Sequence, residues 1–154
     1  MNNRLEKKII ENKRRLFAKD IKEIDKAIVI AGFLDIEYSN SWLQKVYSKL
    51  NKDNEICTYD SIDVSYMSKV AKKYLIKEIS FINGIGESII MDHKCFNEIG
   101  AIKIGTPLYE KSINTIMELL DYNVEGFVTM ASIDGEKGIC VWCSEYDTIF
   151  YKWS

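Results

Sequence analysis

The alternation of side chains near the C-terminus is the sequence feature that most restricts the fold. Three β-prone runs, at residues 126–132, 138–144 and 148–153, are separated by turn residues at 134–135 and 145–147. Successive residues of a strand point to opposite faces of the sheet, and here both sets are rich in apolar side chains. The pattern predicts a three-stranded C-terminal meander that packs one face on helices. The other face is expected to be partly covered or available to a partner.

The first half of the chain instead carries apolar residues at helical spacing. Spacing and capping residues predict helices over residues 3–17, from Asp20 to Gly32, from Ser39 or Asn40 to Leu50, and from Asp63 to Leu75, with an extended piece at 56–59. One continuous helix in place of the first two is the alternative. The N-terminal half is therefore predicted to be mainly helical.

A β-hairpin is predicted in the middle of the chain. Residues 78–82 and 88–91 are β-prone, and they flank Asn83-Gly84, a dipeptide typical of tight hairpin turns. A phosphate-binding loop is excluded, because the glycines are followed by a β-prone run rather than by a helix, and no Gly-Lys-Ser/Thr motif is present.

The segment after the hairpin predicts one more strand and one more helix. The strand lies at residues 101–104, and the helix has Thr106 as its N-cap and Pro107 at its first position. No repeat or composition shift marks a domain boundary. Residues 1–154 are thus predicted to form a single α+β domain, with N-terminal helices packed on a mainly antiparallel sheet.

The composition indicates a globular protein of the bacterial cytoplasm. The chain is 47% hydrophobic and 29% charged and has one proline, which excludes disordered and linker-like classes. The longest apolar run, residues 27–34, is far shorter than the roughly 20 residues of a membrane span. The N-terminus lacks the pattern of a secretory signal. Abundant Lys, Ile and Asn with few Arg residues is the bias of an AT-rich bacterial genome.

The two cysteines of the predicted meander have the spacing of a redox pair or of half a zinc site. Cys140 and Cys143 lie within one predicted strand, where residues three apart point to opposite faces, so the favoured interpretation is structural burial. A zinc site would also need His93 and Cys95, which are separated by only one residue. We therefore predict neither a metal ion nor a cofactor.

An enzyme of unrecognised type is one alternative function. His93 is the only histidine, and with Glu87 and Asp92 it would form the catalytic site near the predicted 83–93 hairpin. No nucleophile-elbow motif accompanies these residues. The non-catalytic interpretation is therefore favoured.

A regulatory protein associated with nucleic acid is a second alternative. Its contacts would come from the basic first helix, chiefly from Lys13, Arg14 and Arg15. Glu6 and Glu11 lie in the same helix, and the net charge of the whole chain is −2. A solvated helix face is the simpler interpretation of these charges.

Acidic and aromatic residues are concentrated near the C-terminus. Residues 107–154 contain eight acidic and three basic side chains, whereas residues 1–30 contain five acidic and nine basic ones. An acidic rim around aromatic anchors is typical of a surface that binds a basic protein. The residues predicted to bind the partner are Glu125, Asp134, Glu136, Trp142, Glu145, Tyr146, Asp147, Tyr151 and Trp153.

By class alone, a small acidic α+β protein of this kind resembles the immunity proteins that neutralise antibacterial toxins, many of which are basic nucleases. The leading expectation is therefore a non-enzymatic binding protein. Its acidic, aromatic surface would cover the positively charged active site of a cognate toxin and exclude the toxin's substrate.

Overall fold

A seven-stranded antiparallel sheet organises the described part of the chain. The computed structural model describes residues 3–60, 64–119, 126–144 and 146–154. The strands are β1 (Ile30–Phe33), β2 (Glu55–Asp60), β3 (Ser88–Met91), β4 (Ile102–Gly105), β5 (Gly126–Ala131), β6 (Gly138–Cys143) and β7 (Asp147–Trp153). Their order is β1-β4-β3-β5-β6-β7-β2. Strands β5, β6 and β7 are neighbours, so the predicted meander is confirmed.

Six α-helices accompany the sheet in the described residues. They are α1 (Asn3–Ile24), α2 (Ile36–Tyr47), α3 (Val64–Lys77), α4 (Ile79–Asn83), α5 (Phe96–Ile99) and α6 (Glu110–Leu119). No helix in this part of the chain is both long and apolar enough to cross a membrane. The six helices and the antiparallel sheet together confirm the predicted α+β class.

The helices lie on both faces of the sheet. Helices α1, α3, α4 and α6 pack on one face, where the buried side chains include Leu75, Ile116, Val128, Val141 and Phe150. Helices α2 and α5 pack on the other face, which we call the α2 face. Its buried side chains include Trp42, Val46, Phe96, Cys140 and Trp153. Each face buries apolar residues of the same strands, as the alternation in the sequence requires.

The predicted hairpin around Asn83-Gly84 is wrong. Residues 79–83 form helix α4, and β3 pairs with β4 and β5 instead of with a preceding strand. The side chain of Asn83 donates to the carbonyl of Leu108 at 2.9 Å and accepts from its backbone N–H at 2.7 Å. Gly84 has a φ of −81°, whereas a tight type I′ hairpin needs positive values. A long-range contact of Asn83 has therefore replaced the local turn.

The predicted helix start at Thr106-Pro107 is also wrong, since α6 begins at Glu110. The Thr106 hydroxyl donates to the carbonyl of Gly86 at 2.5 Å, and its backbone N–H donates to the carbonyl of Glu87 at 3.0 Å. Thr106 joins two loops at one end of the sheet rather than capping a helix. The Thr106–Pro107 peptide bond is cis.

The N-terminal helices differ from the prediction in their limits. Helix α1 is continuous through Asp20, as in the alternative of one long helix, but it ends at Ile24. The second predicted helix is wrong beyond that point, because residues 30–33, including Gly32, form strand β1. Helix α2 begins after Asp35, earlier than Ser39. Ser39 is buried, and its hydroxyl accepts from the N–H of Ala101 at 2.8 Å, so it links α2 to β4 instead of capping the helix. The predicted cap Asp63 lies outside the described residues.

The two outer strands of the sheet are both irregular. The pairing of β1 with β4 shifts register between Ile30 and Gly32, and the pairing of β2 with β7 shifts between Glu55 and Cys57. A bulge of this kind bends a strand and increases its local twist. The regular part of the sheet is therefore its interior.

Close packing on the α2 face predicts a large effect of adding one methyl group at Gly138. A Cβ there would lie 2.5 Å from the Trp153 ring and 2.8 Å from the Cβ of Ala131. We expect Gly138→Ala to lower the free energy of unfolding by about 1–3 kcal/mol, because the core is overpacked. Gly86→Ala is the control, with its nearest neighbour at 3.6 Å, and should change stability by less than about 0.5 kcal/mol. Urea unfolding followed by circular dichroism measures both, and equal effects would contradict the packing described.

Candidate functional site

Two of the aromatic residues predicted to bind a partner lie in the core. Tyr151 is 9% exposed and Trp153 is 5% exposed. The indole N–H of Trp153 donates to the carbonyl of Gly135 at 3.0 Å. These rings stabilise the α2 face and do not contact a partner in this conformation. Glu125 and Glu145, which were also predicted, lie outside the described residues.

The acidic residues of the β5–β6 turn are largely compensated by the protein itself. Glu136 pairs with Lys45 at 2.7 Å and with Lys49 at 3.0 Å, and these lysines lower the pKa of its carboxyl group. The Asp134 carboxylate accepts from the Ser132 hydroxyl at 2.6 Å, which is the main cause of its lowered pKa. The negative charge expected at this turn is therefore smaller than the sequence predicts.

The opposite end of the meander keeps its predicted residues at the surface. Trp142 is 37% exposed and Tyr146 is 78% exposed. Asp147 accepts from the Ser144 hydroxyl at 2.7 Å, which fixes its carboxylate beside the β6–β7 turn. The structure therefore brings together three of the nine predicted residues: Trp142, Tyr146 and Asp147.

The sheet register adds residues of β2 to this end. Asp60 pairs with Asp147, and Ile149 pairs with both Thr58 and Trp142. Residues directly opposite each other in an antiparallel pair point to the same face. Residue 147 is on the same face as Tyr151 and Trp153, because strand neighbours two apart share a face. We call the resulting surface, made by Thr58, Asp60, Trp142, Asp147 and Ile149, the acidic platform.

Helix α2 covers only the other end of this face. The Trp42 indole donates to the carbonyl of Ser132 at 2.9 Å, and Lys45 contacts Glu136, so the helix lies over the β5–β6 turn. Asp60 is exposed at the acidic platform, while Ile149 is half-buried. The platform is thus an extension of a packed sheet face beyond its covering helix.

Two carboxylates face each other on the acidic platform without a compensating cation. In the described part of the chain, neither Asp60 nor Asp147 forms an ion pair. Like charges on directly paired strand residues are destabilising. The register therefore places two acidic residues side by side on the platform. Sequence reasoning missed Asp60, because the pairing of β2 with β7 joins distant segments that no local pattern reveals.

His93 has a structural role in the loop after β3. Its ring is buried, its Nε2 donates to the carbonyl of Gly100 at 2.7 Å, and its Nδ1 accepts from the N–H of Cys95 at 3.1 Å. Burial lowers the pKa of the ring, and the Phe17 ring lies 4.7 Å away. Both nitrogens of a neutral histidine are therefore used within the fold.

The alternative catalytic residues do not converge. Glu87 is exposed before β3, whereas Asp92 and His93 follow its last residue. At about 3.3 Å per residue, Glu87 and Asp92 are roughly 16 Å apart along the strand. Asp92 is partly buried, and its desolvation raises the pKa of its carboxyl group to about 6.

The three basic residues predicted to contact nucleic acid have separate roles. The Arg14 guanidinium donates to the carbonyls of Ile99 at 2.9 Å and Leu34 at 3.1 Å, so it joins α1 to α5. Lys13 lies 3.8 Å from Glu98. Arg15 is exposed and lines a groove between α1 and residues 28–30.

Cys140 and Cys143 are free and buried, as predicted. The Cys140 sulfur accepts from the Thr129 hydroxyl at 3.4 Å, and the Cys143 sulfur accepts from the Thr148 hydroxyl at 3.2 Å. Burial raises the pKa of the Cys140 thiol to about 12. Within the described residues, no group of three or more His, Cys, Asp or Glu side chains is arranged to hold a metal ion.

Comparison with known proteins gives a family. A family model described as YxiF protein matches residues 17–153. The chain belongs to the YxiF family. It is 26% identical over 163 aligned positions to a Bacillus subtilis (strain 168) protein called "Uncharacterized protein YxiF", with 99% of this chain and 100% of the relative covered. No solved structure matches the chain.

Trp142 and Trp153, which lie on the sheet strands of the α2 face, should differ in their contribution to stability. Trp153 is 5% exposed. We therefore expect Trp153→Ala to lower the free energy of unfolding by about 3–5 kcal/mol, because apolar burial is lost and a cavity is left. Trp142 is 37% exposed, and Trp142→Ala should cost about 1–2 kcal/mol. Urea denaturation measures both. Similar losses for the two variants would place Trp142 in the core and contradict its exposure.

Stability should depend on pH through Asp92. A pKa of about 6 in the folded protein exceeds the value of about 3.9 expected after unfolding, so the folded state binds the proton more tightly. Tighter proton binding by Asp92 stabilises the folded state fully below about pH 4, and this stabilisation is lost as the pH rises through about 6. Asp92→Asn keeps an oxygen acceptor for the backbone N–H of His93. The substitution should raise the free energy of unfolding by about 1–3 kcal/mol at pH 8 and change it little at pH 4. Denaturant unfolding at both pH values measures this, and a loss of stability at pH 8 would show that the carboxylate itself is favourable.

Proposed function

We propose that this YxiF-family protein is a non-enzymatic binding protein of the immunity type, which acts in the bacterial cytoplasm. Its partner is a basic toxin of the nuclease type, whose active site it covers. The observation that supports the proposal is the acidic platform, where Asp60 faces Asp147 beside the exposed rings of Trp142 and Tyr146. The sequence predicts three of these four residues, Trp142, Tyr146 and Asp147, on a partner-binding surface.

The platform has the charge that such a partner requires. A nuclease cleft is positive because it binds phosphates, and opposite potentials raise the rate of productive encounter. A cation of the toxin placed beside Asp60 and Asp147 would be attracted by both carboxylates. The platform therefore favours a basic partner over a neutral one.

The exposed rings supply the contact energy that charges alone do not. Aromatic residues dominate binding energy when an interface buries them, and rim charges contribute mainly to rate and specificity. Trp142 lies within the platform, and Tyr146 lies on the adjacent β6–β7 turn. The paired strands β6, β7 and β2 hold this surface on regular structure, so little ordering is needed on binding.

The geometry favours binding over the two alternatives. The catalytic alternative depends on Glu87 and Asp92, which lie at opposite ends of β3. The nucleic-acid alternative depends on Lys13, Arg14 and Arg15, and the Arg14 guanidinium is used by backbone carbonyls within the fold. The residues named for each alternative are thus separated in space or partly used within the fold.

Charge removal on the platform should slow association with the toxin. The partner to use is the product of the gene immediately upstream, the position expected for a cognate toxin. In the double variant Asp60→Lys with Asp147→Asn, the new amide keeps the oxygen that accepts from Ser144. We expect the association rate, measured by surface plasmon resonance at low salt, to fall about tenfold. Co-expression should show a matching loss of protection against growth arrest.

The control variant makes the same net charge change on helix α1, away from the acidic platform. Asp20→Asn with Glu23→Lys alters two exposed carboxylates of α1 and should leave the association rate unchanged. Circular dichroism verifies that each variant is folded. Absence of binding to the upstream product, or equal association rates for both double variants, would contradict the proposal.

A further inference from the structure

A second charged surface of opposite sign lies beside α1. A groove of about 540 Å³ runs between this helix and the segment that leads into β1. One wall carries Arg15, Lys19, Lys22 and Lys26, and the other carries residues 28–30. Arg15, Lys19 and Lys22 recur at intervals of four and three residues, so they form one row along α1, and Lys26 lies in the turn just after the helix. The groove is distinct from the acidic platform in position and in charge.

The positive charge of this groove is not neutralised by the protein. The lining contains no carboxylate, and in the described part of the chain Lys19, Lys22 and Lys26 form no ion pair. The Arg15 guanidinium donates to the neutral side-chain amide of Asn12 at 2.9 Å. Asp25, next to Lys26, is buried, and its carboxylate accepts from the Ala27 N–H and the Thr115 hydroxyl. An anionic ligand would therefore meet uncompensated cations.

The opposite wall is aliphatic and partly uncovered. Val29 is 60% exposed, while Ile28 is 3% exposed and anchors the wall in the core. The Val29 carbonyl accepts from the N–H of Gly105 at 2.8 Å, which fixes this segment against β4. A ligand in the groove thus contacts cations on one side and aliphatic side chains on the other.

We propose that this groove binds an acidic peptide segment of a partner protein, with aliphatic residues interleaved among its carboxylates. The row from Arg15 to Lys22 is about 10 Å long, at about 1.5 Å per helical residue, and Lys26 extends the basic wall past the end of α1. About three residues of extended chain span that length. The carboxylates pair with the cations of α1, and the aliphatic side chains cover Val29.

Single-stranded nucleic acid fits the groove less well. Proteins that bind it combine a basic channel with aromatic rings on which the bases stack. The lining of this groove holds no aromatic residue. Regular strand addition to β1 is also disfavoured, because the register shift between Ile30 and Gly32 distorts that edge. The peptide is therefore held through its side chains rather than by a ladder of backbone hydrogen bonds.

A defined peptide tests the inference without knowledge of the partner. The probe is a fluorescein-labelled peptide of about eight residues in which Glu and Leu alternate, titrated with the full chain at low salt and followed by fluorescence anisotropy. We expect saturable binding that Lys19→Glu with Lys22→Glu weakens about tenfold, since two attractive contacts become repulsive. Lys69→Glu with Lys73→Glu makes the same charge change on exposed residues of α3 and should have no effect.

Further probes separate the competing ligands. A version of the peptide with methylated backbone nitrogens should bind equally well, and a version with Ser in place of Leu should bind several-fold more weakly. The inference is overturned if the probe does not bind, or if both double variants lose binding equally. Tighter binding of an oligo-dT strand at the same lysines, or self-association that depends on those lysines in sedimentation experiments, would also overturn it. The inference does not rest on the proposed toxin, so either can fail alone.

Discussion

Burial of the central strands on both faces is the constraint on which the rest of the structure depends. Strands β5 and β6 place Val128 and Val141 against one helical layer, and Ala131 and Cys140 against the other. A sheet that is apolar on both sides needs helices on both sides. Among the described residues, α2 and the short α5 provide this cover on the α2 face, and α2 lies over one end. The acidic platform is the part of the face beyond it.

The sequence predicted the elements whose stabilisation is local. The alternation in residues 126–153 corresponds to β5, β6 and β7, and the helical spacing in the first half corresponds to α1, α2 and α3, although residues 30–33 form β1. The prediction failed where distant residues decide. Asn83 is bonded to Leu108, which is 25 positions away, so a dipeptide typical of a turn ends a helix instead. Propensity is a weak guide when a tertiary contact satisfies the same polar groups.

The candidate site was predictable in composition but not in placement. An excess of acids and rings near the C-terminus is visible in the sequence, yet the rings of Tyr151 and Trp153 are in the core and Glu136 is compensated by α2. Asp60 joins the site only through the pairing of β2 with β7. Likewise, the cations of α1 look like an ordinary solvated face until the segment 28–30 forms the opposite wall of their groove. A net charge of −2 thus conceals two surfaces of opposite sign.

The irregular outer strands have a consequence for how this protein behaves at high concentration. An open sheet ends in two rows of backbone groups that can recruit further chains and start intermolecular β-aggregation. Here the pairing of both β1 and β2 is interrupted near one end, so neither outer strand is a straight template for another molecule. A cell can therefore accumulate the folded protein with less risk that it polymerises into fibres.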